Sequence, residues 1–257
     1  MQSARLLISR PVHSKGVSMR LGMMQPYFFP YLGYFGLIHA TDCWVVFDTP
    51  QYIRRGWVNR NRVLSAGNSL WKYARVPVAR TVRSTAIREV RITSTQDWKT
   101  DLFNQLETYR LHNAPYYQET VDFLHETLKF DTDRLSTLLT HCLKSSCERL
   151  DIPFNCHVFS ESDLRLPEIT DPGQWALETS RALGATEYIN PPGGREIFDH
   201  DHFHSAGISL KFLEPRLPEY NQGLHQFVSG LSIIDVMMWN DIPTVKNMIA
   251  SYQLKAA

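Results

Sequence analysis

The sequence predicts an α/β fold in which an open, mostly parallel sheet is flanked by helices, with a helical insertion in the middle of the chain. Two observations lead to this prediction. Short apolar runs alternate with amphipathic stretches at both ends of the chain, and three longer stretches of helical periodicity follow one another between about residues 95 and 150. Alternation of strands and helices is typical of parallel sheets, because a crossover between parallel strands needs a connection of helix length.

The N-terminal elements follow in strand–helix–strand order. Leu21–Met24 and Cys43–Phe47 are short apolar runs typical of buried strands. Pro30–Ala40 carries apolar residues roughly on one side and is predicted to be a helix. Tyr73–Val78 and Glu89–Thr93 are further strand candidates, the second because polar and apolar residues alternate in it.

The helical middle and the C-terminal part complete the pattern. The predicted helices of the middle are Gln96–Leu111, capped by Ser94 or Thr95, Tyr116–Lys129, and Asp133–Leu150, capped by Asp133 itself. The later elements are a strand at Phe154–Phe159, a helix at Gly173–Leu183 ending at Gly184, a strand at Glu187–Ile189, a helix at Arg195–Ala206, a strand at Ile208–Phe212, and a helix or helix pair at Ser232–Ala250.

Length and charge set broad limits. The 257 residues can form one large domain, and 27 basic against 26 acidic side chains give no overall preference for nucleic acid or membranes. Residues 1–18 lack core-forming periodicity, so we expect a disordered extension followed by a single domain at 19–257. Neither a signal peptide nor a transmembrane span is recognisable. The four cysteines lack CxxC spacing, which favours buried thiols in the cytoplasm.

The segment between Asp48 and Glu89 is strongly basic. It contains no acidic residue and nine basic ones, which are Arg54, Arg55, Arg60, Arg62, Lys72, Arg75, Arg80, Arg83 and Arg88. Arginine predominates, and its planar fork suits carboxylate or phosphate recognition. Aromatic residues precede the segment, and Trp57 and two asparagines interrupt it, so we expect an anion-binding pocket. The alternative is a solvated basic face on a loop and hairpin.

Two further motifs stand where a predicted strand ends. Gln25 and Pro26 follow the first strand, at the edge of the sheet where ligands bind in open α/β folds. The residues Asn190 to Arg195 include Gly193 and Gly194, which would let backbone N–H groups approach an anion beside Arg195. Simple turns are the alternative for both motifs.

Two patterns have structural explanations that we favour. On a strand, His200, His202 and His204 would share one face and could hold a metal. We predict a helix here, on which His202 points away from the other two, and we therefore expect no metal site. Ser232 is a natural N-cap, with Asp235 completing a capping box. A catalytic role for this serine and aspartate would need a base, for which His225 is the nearest candidate in sequence.

In these motifs the chain resembles the WbqC-like protein family. The shared segments are Gln25–Phe35, Asp48–Arg62, Ala114–Tyr117, Leu183–Ala185, Tyr188–Asn190, Gly193–Gly194 and Leu231–Val236. The resemblance implies a bacterial protein associated with surface polysaccharide, O-antigen or lipopolysaccharide biosynthesis. The activity suggested for the family is transfer of glycine or another aminoacyl group to a sugar. It supplies no catalytic residue, so the expected residues below rest on chemistry.

We therefore expect a transferase that modifies a nucleotide- or lipid-linked sugar with an activated acyl or aminoacyl donor. That donor, free or on a carrier, would be a co-substrate, and we expect no bound cofactor. Asp48 is the candidate base, and Asn59 or Asn61 would stabilise an oxyanion. The substrate-binding candidates are Gln25, Tyr52, Arg54, Arg55, Arg60, Gly193, Gly194 and Arg195. The alternatives are a non-catalytic sugar-nucleotide or carrier-binding protein and, less favoured by the neutral charge, a nucleic-acid-binding protein.

Overall fold

The computed structural model describes residues 18–65, 70–93, 97–223 and 226–257. The strands are β1 (Arg20–Met24), β2 (Cys43–Val46), β3 (Arg60–Leu64), β4 (Trp71–Arg75), β5 (Cys156–Val158), β6 (Glu187–Asn190), β7 (Ser209–Pro215) and β8 (Tyr252–Ala256). The α-helices are α1 (Leu32–His39), α2 (Trp98–Leu111), α3 (Tyr117–Leu128), α4 (Leu135–Arg149), α5 (Gln174–Leu183), α6 (His200–Ser205), α7 (Ile233–Trp239) and α8 (Ile242–Ile249). Short 3-10 helices lie at Ile87–Glu89, Phe159–Glu161 and Pro192–Ile197.

The main sheet has the strand order β5-β2-β1-β6-β7-β8, and β3 and β4 form a separate antiparallel hairpin. All strands of the main sheet are parallel except β8, which pairs antiparallel with β7. The predicted α/β fold with a mostly parallel sheet is therefore confirmed, with α2, α3 and α4 as the helical insertion between β4 and β5.

Helices cover both faces of the sheet. Alternate residues of β2 belong to different hydrophobic clusters: Trp44 and Val46 to the one that includes α1, α7 and α8, and Cys43 and Val45 to the one that includes α5 and α6. β1 leads through α1 to β2 on one side, whereas β6 leads through α6 to β7 on the other. Right-handed crossovers in opposite directions require helices on opposite faces, as observed. The strand order therefore reverses between β1 and β6.

Some predicted elements differ from the structure. Glu89–Thr93 is not a strand: after the 3-10 helix, Arg91 and Ile92 make only isolated bridges, because their partners Arg134 and Val78 do not continue as strands. Asp97 caps α2 by accepting a hydrogen bond from the Thr100 N–H, and the predicted caps Ser94 and Thr95 lie outside the described residues.

The predicted helix at Arg195–Ala206 is interrupted. Phe198 is extended and packs into the core, and Asp199 then starts α6 by accepting a hydrogen bond from the His202 N–H at 3.0 Å. The histidines at 200, 202 and 204 therefore lie on a helix, as expected. Asp133 does not cap α4, whose N-cap is Arg134. The Asp133 carboxylate instead pairs with Arg91 at 2.6 Å.

Candidate functional site

A cavity of about 790 Å³ opens at the carboxyl ends of β1 and β6. These are the two neighbouring strands between which the strand order reverses. In open α/β sheets such a reversal leaves a crevice, because the connections on its two sides leave in opposite directions. We call it the switch-point cavity, and it is the first candidate for a ligand site.

Aromatic side chains form one wall of the switch-point cavity. Phe47, directly after β2, and Trp175, in the first turn of α5, both line it. Their ring centroids are 5.4 Å apart, and Phe159 packs edge-on against Phe47 at 5.5 Å and against Trp175 at 5.4 Å. Tilted and edge-to-face contacts of this kind hold the rings rigidly. The wall therefore offers a preformed apolar surface.

Polar side chains face this wall from the strand ends. Asn190 accepts a hydrogen bond from the Tyr188 hydroxyl at 3.1 Å and donates one to the Pro191 carbonyl at 3.1 Å. The Gln25 side-chain amide makes no hydrogen bond to any described residue. Thr49 Oγ1 is shielded from solvent, and it too has no partner within the described part of the chain. Buried polar atoms normally have hydrogen-bond partners, so the Thr49 hydroxyl is a position at which a ligand can supply the missing hydrogen bond.

Close backbone contacts shape the rim. A Cβ on Gly194 would lie 2.3 Å from Asn190 Nδ2, and a Cβ on Gly173 would lie 2.2 Å from the Ile197 carbonyl oxygen. Only glycine allows these approaches. The N–H of Gly173 also donates to Asp171 Oδ1 at 2.8 Å, which fixes this carboxylate at the cavity. The rim therefore depends on Gly194 and Gly173.

The lining is nearly uncharged. Among the described residues that line the switch-point cavity, Asp171 is the charged one, and none is lysine or arginine. Arg195 lies outside this lining, where its guanidinium is 3.7 Å from Glu214 and 4.7 Å from the Phe212 ring centroid. Of the residues expected to bind substrate, Gln25, Gly193 and Gly194 therefore come together here and Arg195 does not.

Asp48 lies in a neighbouring cavity of about 510 Å³. Its side chain is buried, with Oδ2 accepting hydrogen bonds from the hydroxyls of Ser136 and Ser160 and Oδ1 from the Ser160 N–H. We call this the α4 cavity, because Thr137 and other residues of α4 line it together with the N-cap residue Arg134. Phe47 and Thr49 line one cavity and Asp48 the other, so the short segment 47–50 separates them.

Asn59, Asn61 and Tyr52 are buried away from both cavities. Asn59 accepts a hydrogen bond from the Tyr52 hydroxyl at 2.9 Å and donates to the Val76 carbonyl at 2.7 Å. Asn61 donates to the carbonyl of Phe29 at 2.9 Å. The Phe29 backbone has φ of 39°, which is costly for a residue with a large side chain. Both amides thus hold the backbone of the aromatic segment and the hairpin.

Three arginines of the basic segment, Arg54, Arg60 and Arg62, are held by carbonyl oxygens or aromatic rings. Arg60 donates to the carbonyls of Gly56, at 3.0 Å, and Arg55, and it stacks 3.9 Å from the Tyr73 ring centroid. Arg54 donates to the Thr81 carbonyl at 2.8 Å. The substrate-binding candidates Arg54, Arg55 and Arg60 line neither cavity described above, whereas Arg88 of the same segment lines the α4 cavity.

A carboxylate network replaces the predicted capping box. Ser232 caps α7 by accepting from the Ile234 N–H at 3.2 Å, as predicted, but Asp235 is fully buried and accepts from Tyr109, Tyr220 and Gln222. Burial raises the pKa of Asp235 to about 6, although these hydrogen bonds oppose the rise. The other candidate of this motif, His225, lies outside the described residues.

The sequence reasoning missed Thr49, Asp171 and Trp175 as cavity residues. Thr49 had a signal, because it follows the second predicted strand as Gln25 follows the first. Trp175 reaches the cavity from the first turn of α5 and Asp171 from the turn before this helix, and no strand precedes them directly. No position-based rule would have selected them.

The described residues contain no helix that is both long and apolar enough to cross a membrane. Nor do they bring together three or more histidine, cysteine or acidic side chains in a group suited to a metal ion.

Comparisons with known proteins place the chain in one family. Over 220 residues it is 27% identical to the uncharacterised protein Rv1507c of Mycobacterium tuberculosis, a match that covers 85% of this chain and 92% of that protein. No solved structure matches significantly. The model of the WbqC-like family matches residues 25–247, which include every lining residue of the switch-point cavity except Met23 and Met24. The chain therefore belongs to the WbqC-like protein family.

Proposed function

We propose that the protein is a transferase that moves an acyl or aminoacyl group, with glycine as one candidate, onto a nucleotide- or lipid-linked sugar. The pathway would be the assembly of bacterial surface polysaccharide, as in O-antigen biosynthesis. The observation that carries the proposal is the switch-point cavity, which combines a rigid aromatic wall with amide and hydroxyl groups that lack partners. At about 790 Å³ it lies within the usual size range of small-molecule sites.

The lining suits a sugar ring. The C–H face of a pyranose is apolar and can pack on the ring of Trp175, while its hydroxyls need partners that both donate and accept. The side-chain amide of Gln25 and the hydroxyl of Thr49 provide both functions. A nearly uncharged lining also fits a neutral ring better than a phosphate group, which suggests that any phosphate lies outside this cavity.

Transfer also needs a group that takes a proton. An amine or hydroxyl of the sugar attacks the acyl carbonyl, the new C–N or C–O bond replaces the bond to the donor, and the nucleophile loses its proton. Asp171 lines the cavity, and only its Oδ1 is occupied within the described structure, so we assign the proton transfer to it. Asp48, the base expected from the sequence, accepts three hydrogen bonds, and we assign it the orientation of Ser136 and Ser160.

The rival function is a non-catalytic sugar-nucleotide or carrier-binding protein. It is favoured by the same scarcity of charge, because the lining has one carboxylate and no cationic side chain among its described residues. Turnover separates the two functions, since both predict binding.

The test uses the full chain with UDP-glucosamine and a panel of acyl and glycyl thioesters. Calorimetry measures binding, and mass spectrometry detects sugar that has gained the acyl group. Trp175→Ala should weaken binding, and Asp171→Asn should retain binding but lose turnover. Trp57→Ala removes an exposed indole outside the cavity and should change neither. Binding without product from any donor would favour the rival. Undiminished binding by Trp175→Ala would contradict the site, and undiminished turnover by Asp171→Asn with loss in Asp48→Asn would return the base role to Asp48.

A further inference from the structure

The α4 cavity is built differently from the switch-point cavity. Thr137, Thr140, His141 and Lys144 lie at intervals of three and four along α4, so they share one face of the helix, and all four line the cavity. The opposite face of α4 carries buried leucines and belongs to the core. A helix face of threonine, histidine and lysine that borders a cavity of about 510 Å³ is accessible to a polar ligand.

Three cations border the α4 cavity without a tight ion pair. Among the described residues, the Arg134 side chain has no hydrogen bond, ion pair or ring contact. The nearest carboxylate oxygens to Lys144 and Arg88 are both at 4.0 Å. By contrast, the nearby Arg91 is 2.6 Å from the Asp133 carboxylate. The charges of Arg134, Lys144 and Arg88 thus remain available to a bound anion.

Two of the three carboxylates of this cavity are already engaged. Asp48 accepts from Ser136 and Ser160, and Glu89 accepts from the Ala86 N–H at 3.2 Å. Glu161 is exposed and has no ion pair within the described structure. Because the Ser160 hydroxyl donates its proton to Asp48, its oxygen can only accept from a ligand. The lining of the cavity therefore combines cations and donors with acceptors.

We propose that the α4 cavity binds the phosphoryl group of a phosphorylated sugar, an assignment that rests on the proposed function. Arg134, Lys144 and Arg88 hold the phosphoryl oxygens by charge-assisted hydrogen bonds, and the Thr137 hydroxyl donates a further one. Glu161 and Ser160 accept from sugar hydroxyls. The segment 47–50 lies between this cavity and the switch-point cavity.

The test measures binding of inorganic pyrophosphate and glucose 1-phosphate to the full chain by titration calorimetry. Arg134→Ala should weaken the binding of both ligands by about tenfold, and Thr137→Val by about threefold. Glucose, which carries no phosphate, is the negative control. Arg165→Ala is the matched control, because this exposed arginine lies outside the cavity lining, and it should bind as the wild type does. Stronger binding of UDP-glucose than of geranyl diphosphate would identify a nucleotide as the source of the phosphate, and the reverse a lipid.

Equal affinities for wild type and Arg134→Ala would overturn the proposal, as would an equal loss in Arg165→Ala, which indicates nonspecific charge attraction. This outcome is independent of turnover. If Arg134→Ala loses pyrophosphate binding while no donor gives product, the phosphoryl site stands and the proposed transferase activity falls. If product forms and the KM for the phosphorylated sugar is unchanged by Arg134→Ala, the activity stands and the phosphoryl site falls.

Discussion

Gly194 packs so closely on the side-chain amide of Asn190 that a Cβ at position 194 would lie 2.3 Å from Nδ2. The contact sets the position of an amide that lines the switch-point cavity. It ties the loop after β6 to the end of that strand, and it makes one methyl group a sensitive probe of the site.

Gly194→Ala should reduce the free energy of unfolding by about 1–3 kcal/mol, because the methyl group must displace Asn190. It should also weaken binding of UDP-glucosamine. Gly193→Ala is the control for stability, since a Cβ there meets no atom within 4 Å. Urea denaturation and calorimetry of the two variants provide the measurement, and equal stabilities would contradict the close contact.

Thr49→Val should separate stability from binding. The buried Thr49 hydroxyl has no partner among the described residues, so its replacement by a methyl group of similar shape should leave stability unchanged or slightly increased. The affinity for a sugar that forms a hydrogen bond with this hydroxyl should fall by about fivefold, the effect of losing one neutral hydrogen bond. A thermal melt and a titration test the two effects, and unchanged affinity would show that no ligand reaches Thr49.

The stability of the protein should depend on pH through the ionisation of Asp235. Burial raises its pKa to about 6 in the folded protein, so the fold binds the proton more tightly than the unfolded chain. The stabilising contribution of this group is therefore complete below its unfolded pKa of 3.8 and is lost as pH rises to about 6. Asp235→Asn cannot titrate, so the stability difference between wild type and variant should change between these pH values. A difference that is constant with pH would contradict the raised pKa.

Arg60→Ala tests what holds the basic segment. The structure gives the guanidinium two carbonyl partners and a stacked tyrosine, so its loss should cost about 1–2 kcal/mol of stability. Arg83→Ala, at an exposed arginine of the same segment, should cost little. The ligand role predicted from the sequence gives the opposite pattern, with normal stability and weakened binding of a phosphorylated sugar. Denaturation and titration of both variants decide between the two.

The order of predicted strands and helices along the chain, with the motifs that follow them, was enough to predict much of the fold and part of the site. A buried parallel strand such as β2 is a continuous apolar run, which makes it recognisable in the sequence. Ligands lie beyond the carboxyl ends of such strands, so Gln25 and Gly193, each after a predicted strand, could be placed at the edge of the sheet. β3 was not recognised, because Arg60 and Arg62 alternate with the buried but polar Asn61, which imitates a loop.

The role of the arginines could not be judged from charge alone. The absence of acidic neighbours indicated a free anion site, but a guanidinium also binds carbonyl oxygens and aromatic faces, which a count of charges does not include. Arg62 contacts the Gly230 carbonyl at 2.9 Å, across 168 positions of the chain. Asp171 and Trp175 were likewise missed, because their place at the cavity depends on how α5 packs on the sheet.

The wall between the two cavities has a consequence for how the chain can vary in length. Phe47 and Thr49 face one cavity and Asp48 faces the other, so successive residues serve different sites. Inserting one residue just before this wall would exchange its faces, sending the Asp48 carboxylate into the aromatic cavity and the Phe47 ring against Ser136 and Ser160. Substitutions could alter either cavity separately, but a change in register would damage both at once.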